Sequence, residues 1–129
     1  MTTHDPLAAP RPAADTETPD GGDPLAAAIA VRLPGLRVLT EPIDRESYRL
    51  DETPYLHPGL PRAVVFPTTT ADVVELVRIA GELGVPIVPR GAGTGLSGGA
   101  AGIEGGLTMA FTAMDRILEI DKENLVAVV

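Results

Sequence analysis

Eight of the fourteen glycines in this chain fall between Gly91 and Gly106, and this cluster constrains the fold more than any other feature of the sequence. Glycine loses more backbone freedom on folding than any other residue, so a dense cluster is favourable only where small size or a positive φ angle is needed. Successive backbone N–H groups in such a loop can turn inward and form an anion-binding nest. Without Cβ atoms, a diphosphate can also approach the backbone closely. The cluster therefore predicts a phosphate-binding loop, with a flexible surface loop as the alternative.

Three familiar motifs bear on the chemistry of this loop. The Walker pattern needs a Gly-Lys-Ser/Thr step, but the only lysine of the chain is Lys122. Residues 93–98 match the dinucleotide pattern G-x-G-x-x-G, but that pattern must open a helix, which the glycines that follow disfavour. Residues 95–99 fit the hydrolase pattern G-x-S-x-G, which needs a later histidine, whereas His4 and His57 both precede it. A diphosphate-binding loop that passes between strands remains.

The composition of the chain excludes several classes of function. Eighteen acidic residues against ten basic ones give a net charge of −8, and the sequence has no basic stripe to bind nucleic acid. The chain has no cysteine and only two, widely separated histidines, so we expect no metal site. The longest apolar run, 25–31, is far shorter than the roughly 20 residues of a membrane span, and the amino terminus does not resemble a secretory signal. We therefore expect a cytoplasmic protein.

Turn-forming and apolar residues divide the chain into three parts. Residues 1–24 are rich in proline and acids and predict a disordered leader. Residues 25–60 predict an irregular approach segment with a short helix that Asp23 caps. Residues 61–129 carry the periodicity of a folded domain. The last predicted strand stops at Val129 without a turn or partner, so we expect a truncated domain that is poorly folded in isolation.

The folded part begins with a strand–helix–strand pattern. Residues 63–66 form a short apolar run that predicts a buried strand, and residues 86–89 predict a second strand. Between them, Thr69 or Thr70 caps a helix that ends at Gly84. A connection of this length predicts a right-handed βαβ unit, whose strand ends commonly bind ligands. The predicted apolar stripe of the helix consists of Val73, Leu76, Val77, Ala80 and Leu83.

The residues after the glycine cluster predict further strands. Residues 107–111 alternate in polarity and predict a half-buried strand. A single helical turn is predicted over 112–116, followed by strands at 117–120 and 125–129. The predicted fold class is therefore α/β (α+β), with a βαβ unit followed by a glycine-rich loop and further strands.

The run Pro-Arg-Gly-Ala-Gly-Thr-Gly-Leu-Ser-Gly-Gly-Ala, from Pro89 to Ala100, resembles the FAD-linked oxidase family named after p-cresol methylhydroxylase and vanillyl-alcohol oxidase. Within that family, it is similar to the group that contains the FAD subunit of glycolate oxidase and D-lactate dehydrogenases. The resemblance implies the first half of an FAD-binding domain with two α/β subdomains. Residues outside the loop that agree with the family are Tyr48, Asp51, Pro61, Pro67, residues 114–117, Ile120 and Asp121.

The resemblance also implies which residues hold the cofactor. In the family this loop binds the FAD diphosphate, mainly through backbone N–H groups. Some relatives attach the flavin covalently through a histidine where this chain has Thr94, and the loop has neither histidine nor cysteine, so a noncovalent FAD is expected. The implied cofactor-binding residues are Arg90, Gly91, Ala92, Gly93, Thr94, Gly95, Ser97 and Gly98.

For the full-length protein, the resemblance implies oxidation of a 2-hydroxy acid, of glycolate or D-lactate type, to a 2-oxo acid. Its partners would be that small-molecule substrate and an electron acceptor or companion subunits. Catalytic residues are expected after Val129, so the fragment alone is expected to be inactive. Within the fragment, Tyr48, Tyr55 and His57 are candidate catalytic residues by chemical type only, and packing or turn roles are the alternative. Two other readings remain open: a non-catalytic FAD-binding fragment, and the same flavin fold with another substrate such as D-2-hydroxyglutarate.

Overall fold

The computed structural model describes residues 22–129, so the predicted leader lies almost wholly outside the described residues. Helix α1 (Pro24–Arg32) begins as predicted, because the Asp23 carboxylate accepts a hydrogen bond of 2.9 Å from the backbone N–H of Leu25. The segment predicted to be irregular also contains strand β1 (Arg37–Leu39) and a second short helix, α2 (Pro42–Glu46). A strand of three residues carries too little periodicity to be predicted from sequence.

The predicted strand–helix–strand unit is confirmed by β2 (Ala63–Phe66), α3 (Thr70–Leu83) and β3 (Ile87–Arg90). A capping box begins α3: the Thr69 hydroxyl accepts from the Asp72 N–H, and the Asp72 carboxylate accepts from the Thr69 N–H. Gly84 ends the helix in the left-handed conformation, with φ at +64°. Local capping signals therefore fix both ends of this helix.

Strand β4 (Leu107–Ala110) lies between the two strands of that unit, so the sheet order is β1-β2-β4-β3. β4 runs parallel to both β2 and β3, whereas β1 pairs antiparallel with β2 at the edge. All four residues of β4 are buried, so the prediction of a half-buried strand is wrong. The reason is its central place, with one apolar cluster on each face of the sheet. The carboxyl ends of β2, β3 and β4 lie at the same end of the sheet, and the glycine-rich loop begins there, directly after β3.

The main core lies between the sheet and the helices α1 and α3. Ile79 of α3 is fully buried although it is absent from the predicted stripe, whereas Val77 and Leu83 of that stripe are 48% and 43% exposed. The buried face of α3 is set by α1, whose Leu25 and Ile29 belong to the same cluster. Periodicity within one helix does not show where a neighbouring helix will lie.

The last part of the described chain is a hairpin. One 3-10 turn (Phe111–Ala113) follows β4, and strands β5 (Glu119–Asp121) and β6 (Val126–Val128) pair with each other in antiparallel register. The prediction that the terminal strand has no partner is therefore wrong. The helical turn was predicted over 112–116 but begins one residue earlier and is shorter. No helix within residues 22–129 is long and apolar enough to cross a membrane.

Candidate functional site

Arg90 anchors the base of the glycine-rich loop (residues 91–106). It is the last residue of β3, and only 8% of it is exposed. Its Nη1 donates a 2.9 Å hydrogen bond to the carbonyl of Ala100, and its guanidinium carbon lies 5.7 Å from the centroid of the Tyr48 ring. The Tyr48 ring in turn meets Phe66 edge to face. Arg90 therefore ties the start of the loop to its middle, and it forms no salt bridge with a described residue.

The first half of the loop leaves its backbone donors free. The N–H groups of residues 91–97 donate no hydrogen bond to any described residue, whereas the N–H groups of Gly98 and Ala100 do. Residues 91–97 are also exposed, apart from Gly93. Backbone N–H groups without partners carry a free-energy cost unless water or a ligand satisfies them. A run of such donors on a surface loop is the arrangement that an anion-binding nest requires.

Two glycines of the loop are required by its geometry. Gly93 has φ at +78° and Gly98 has φ at +77°, which is the left-handed region that L side chains rarely adopt. A Cβ atom on Gly93 would overlap the guanidinium of Arg90, and a Cβ atom on Gly98 would overlap the Leu56 side chain. The loop therefore lies directly on the side chains beneath it, with no room for a side chain at either position.

Residues 49–53, here called the supporting segment, run antiparallel to the second half of the loop. The segment and the loop are joined by four hydrogen bonds, two between backbone groups and two that end on side-chain oxygens. In these bonds the Glu52 N–H donates to the Gly95 carbonyl (3.1 Å), the Gly98 N–H to Thr53 Oγ1 (2.7 Å), the Ala100 N–H to Asp51 Oδ2 (3.4 Å) and the Gly102 N–H to the Arg49 carbonyl (2.8 Å).

The pKa of Asp51 is lowered in this setting. The largest cause is its hydrogen bond with the Thr53 side chain, and the backbone N–H groups of Thr53 and Ala100 act in the same direction. The charge of Arg90 also lowers this pKa, while partial burial opposes the shift. The Asp51 carboxylate thus accepts hydrogen bonds from two places in the chain, Thr53 and Ala100, and the charge of Arg90 acts on it without a hydrogen bond.

The other candidate residues are placed as follows. Thr94 and Ser97 are exposed, and their hydroxyl groups form no hydrogen bond with a described residue. Tyr48 is half-buried and packs on Phe66, which is a structural role. Tyr55 and His57 are exposed and lie on the surface before β2. The residues that sequence reasoning missed are Thr53 and Leu56, because an irregular, proline-containing stretch has no periodicity that would mark them.

Two grooves open at the same edge of the sheet. One of about 600 Å³ lies beside Phe66 and Thr68 and includes Arg37, whose guanidinium carbon lies 4.1 Å over the Phe66 ring. The other, of about 440 Å³, lies between the start of α3 and the chain that follows β4. Neither groove is lined by a residue of the glycine-rich loop. The loop therefore lies outside both grooves. Residues 22–129 contain no group of acidic or histidine side chains suited to a metal ion.

Among the proteins that are similar to this chain are three whose names state an activity. The glycolate oxidase subunit GlcD of Bacillus subtilis is 48% identical over 82 residues, which cover 64% of this chain and 17% of GlcD. A D-lactate dehydrogenase of Anaerostipes hadrus is 39% identical over 90 residues, covering 70% of this chain and 19% of that protein. A D-2-hydroxyglutarate dehydrogenase of Xanthomonas citri is 35% identical over 99 residues, covering 77% and 21%. The chain thus spans about a fifth of the length of these relatives.

A solved structure and a family signature agree with these similarities. The crystal structure of p-cresol methylhydroxylase with substrate bound superposes with a TM-score of 0.56 at 28% identity, covering 65% of this chain and 17% of that one. The mixed α/β sheet of mostly parallel strands agrees with that shared fold. The signature of the FAD binding domain matches residues 61–129, which is more than half of the sequence, and the chain therefore belongs to this family of FAD-binding domains.

Proposed function

We propose that this chain provides the diphosphate-binding part of the FAD site in a flavin-dependent oxidoreductase that oxidises a 2-hydroxy acid. The observation that carries the proposal is the run of free N–H groups over residues 91–97, which lies at the carboxyl end of a parallel strand. Ligands of open α/β sheets bind at that end of the strands. Backbone donors suit a diphosphate because they surround its oxygens without adding side chains that would have to be displaced.

The residues present fit the diphosphate of FAD. Gly93 and Gly98 keep the loop free of side chains at two of its three left-handed positions. Arg90 adds a fixed positive charge under the loop, and the exposed hydroxyls of Thr94 and Ser97 offer further donors. The loop contains no histidine or cysteine, which supports a noncovalent cofactor.

The role of these residues is to bind and orient the cofactor. FAD, when bound, supplies the hydride acceptor for oxidation of the α-carbon of a hydroxy acid. The loop donors would fix the diphosphate and so set the position of the rest of the cofactor relative to the protein. The residues that bind the hydroxy acid and take its proton are expected outside residues 22–129.

The substrate class rests on the relatives. Two of them are named for glycolate and D-lactate, which are small 2-hydroxy acids, and we propose a substrate of that type. The third is named for D-2-hydroxyglutarate, a 2-hydroxy acid with a second carboxylate, and this is the second candidate. All three share the hydroxyl and carboxylate on adjacent carbons, so they differ only in the side group that the remainder of the site must accept.

The proposal is tested on the natural protein purified with its cofactor. We expect a yellow protein whose flavin is released into solution by acid precipitation, as a noncovalent cofactor would be. Glycolate, D-lactate and D-2-hydroxyglutarate, added one at a time without oxygen, should separate the substrate candidates by bleaching the flavin. Bound flavin that none of these acids bleaches would favour a non-catalytic FAD-binding role, and a protein that binds no FAD would refute the proposal.

Substitutions in the loop separate backbone from side-chain binding. Ser97→Ala should leave most of the flavin bound, because the N–H groups of the loop are unchanged. Gly93→Asp should abolish flavin retention, because it displaces the Arg90 guanidinium and adds a negative charge beside the diphosphate. Equal flavin content in both variants would show that the loop does not bind the diphosphate.

A further inference from the structure

We propose that the side chains of Asp51 and Thr53 are positioning residues that hold the phosphate loop in its binding conformation. They accept hydrogen bonds from Gly98 and Ala100 and thereby fix the second half of the loop. The inference rests on the proposed FAD function for its effect on ligand affinity, although its structural part stands independently.

The supporting segment acts selectively on the loop. It engages donors at Gly98, Ala100 and Gly102, and at Gly95 it engages only the carbonyl. The N–H groups of residues 91–97 are thereby left free, while the part of the loop that follows them is fixed. A glycine-rich loop without such a partner would sample many conformations, because glycine has the largest backbone freedom to lose.

Thr53 is the residue of this segment with the shortest bond to the loop. Its Oγ1 lies 2.7 Å from the Gly98 nitrogen, where φ is at +77°. The Thr53 backbone N–H also donates a 3.0 Å hydrogen bond to Asp51 Oδ1, so Thr53 contacts both Gly98 and the Asp51 carboxylate. Loss of the Thr53 hydroxyl would leave a partly buried donor without its partner, which costs more than the net value of one hydrogen bond.

Ala100 is held between opposite charges. Its carbonyl accepts from Nη1 of Arg90, and its N–H donates to Oδ2 of Asp51. A carboxylate close to a phosphate site repels the ligand, so its presence needs a structural reason. Positioning and simple electrostatics therefore predict opposite signs for the Asp51→Asn variant: removal of a negative charge alone would strengthen diphosphate binding, whereas loss of a positioning contact would weaken it.

Glu52 provides the matched control. Its carboxylate is exposed and forms no hydrogen bond or salt bridge with a described residue, while its backbone N–H supports the loop. Glu52→Gln removes the same charge one residue away and keeps every loop contact. A conservative Thr53→Ser variant likewise keeps the hydroxyl that Thr53→Val removes.

The experiment measures FAD affinity by titration and amide hydrogen exchange without ligand, both in the full chain. We expect Thr53→Val to raise the Kd for FAD about tenfold, equivalent to about 1.4 kcal/mol, and Asp51→Asn to raise it about fivefold. Thr53→Ser and Glu52→Gln should stay within about twofold of the parent, since a change of that size is below one hydrogen bond. Exchange at Gly98 and Ala100 should accelerate in Thr53→Val and Asp51→Asn, with exchange in β2 and β4 unchanged.

Several results would overturn the inference. A Kd in Asp51→Asn equal to or lower than that of the parent would show that the carboxylate does not position the loop. If Thr53→Val does not fold, Asp51→Asn against Glu52→Gln still decides the question. If the parent binds no FAD, the proposed function fails, and unchanged exchange at Gly98 and Ala100 in both variants would then separately overturn the positioning role.

Discussion

Replacement of Gly93 by alanine is expected to disorder the phosphate loop and weaken FAD binding. Two costs act together. Alanine at φ +78° costs about 1–2 kcal/mol, because its Cβ crowds the carbonyl oxygen in the left-handed region. The new Cβ also lies 2.5 Å from Cζ of Arg90, so the guanidinium must move away. The charged hydrogen bond that it would then lose, to Ala100, is worth about 1.5–3 kcal/mol.

The combined cost, about 2.5–5 kcal/mol, falls on the loop rather than on the sheet. If FAD binds only the loop conformation seen here, the Kd should rise by about two to four orders of magnitude. The thermal midpoint of the sheet should change much less, because Gly93 contributes nothing to either apolar cluster. A titration with FAD and a thermal unfolding curve, recorded on the same preparation, measure both quantities.

Two control glycines separate the costs. Gly105 has φ at +71° but open space around its Cβ position, so Gly105→Ala tests backbone strain without a clash. Gly99 has neither strain nor a close neighbour, so Gly99→Ala should behave as the parent does. The Kd for FAD should rise least in Gly99→Ala, more in Gly105→Ala and most in Gly93→Ala. A Gly93→Ala variant that binds FAD as tightly as Gly99→Ala would refute the role assigned to Arg90 and to the loop conformation.

Three further predictions concern stability. The pKa of Asp72 is lowered chiefly by the backbone N–H of Thr68, and the pKa of Glu75 chiefly by Arg32. The stability that these two ionised carboxylates contribute is present above the ordinary carboxyl pKa and is lost as pH falls. The urea midpoint should therefore drop below about pH 4. Ile79→Ala should cost about 2–5 kcal/mol in urea unfolding, whereas Val77→Ala should cost far less because Val77 is half-exposed. Gly81→Ala, on the open side of α3, should raise stability by about 0.5–1 kcal/mol; a lower thermal midpoint would contradict this.

Local signals in the sequence predicted the elements that they directly control. Asp23 before a proline marked the start of α1, and Gly84 marked the end of α3. The start of α3 was predicted at Thr69 or Thr70, and the structure has Thr69 as the cap. These predictions succeeded because a cap satisfies backbone groups within a few residues and depends little on the rest of the fold. Short apolar runs predicted β2 and β3 for the same reason, because the signal for each strand lies in a few consecutive residues.

The features that were not predicted depend on distant partners. The position of α1 decides which face of α3 is buried, and for this reason Ile79 rather than Val77 lies in the core. The burial of β4 depends on its insertion between β2 and β3, which no local pattern specifies. The missed pairing of the last strand is an exception, because its partner β5 is adjacent in the chain.

The candidate site shows the same division. The glycine cluster predicts a phosphate site from the loop alone, and the structure shows that Gly93 and Gly98 are needed there for their positive φ angles. The residues that hold the loop, Asp51 and Thr53, lie about forty-five positions earlier in a stretch without periodicity. Their contribution arises only when the fold brings the two segments side by side, so sequence patterns alone could not assign it.

The charge of the chain explains why the loop must be built in this way. With a net charge of −8, these 129 residues taken together repel an anionic cofactor. In the proposed site, attraction would therefore come from donors in direct contact with the diphosphate, the N–H groups of residues 91–97, and from the buried guanidinium of Arg90 beneath them. A backbone N–H strengthens binding only when it points at an oxygen of the diphosphate. We therefore expect affinity in the proposed site to depend on backbone conformation, and the residues that fix that conformation to matter more than the exposed hydroxyls of Thr94 and Ser97.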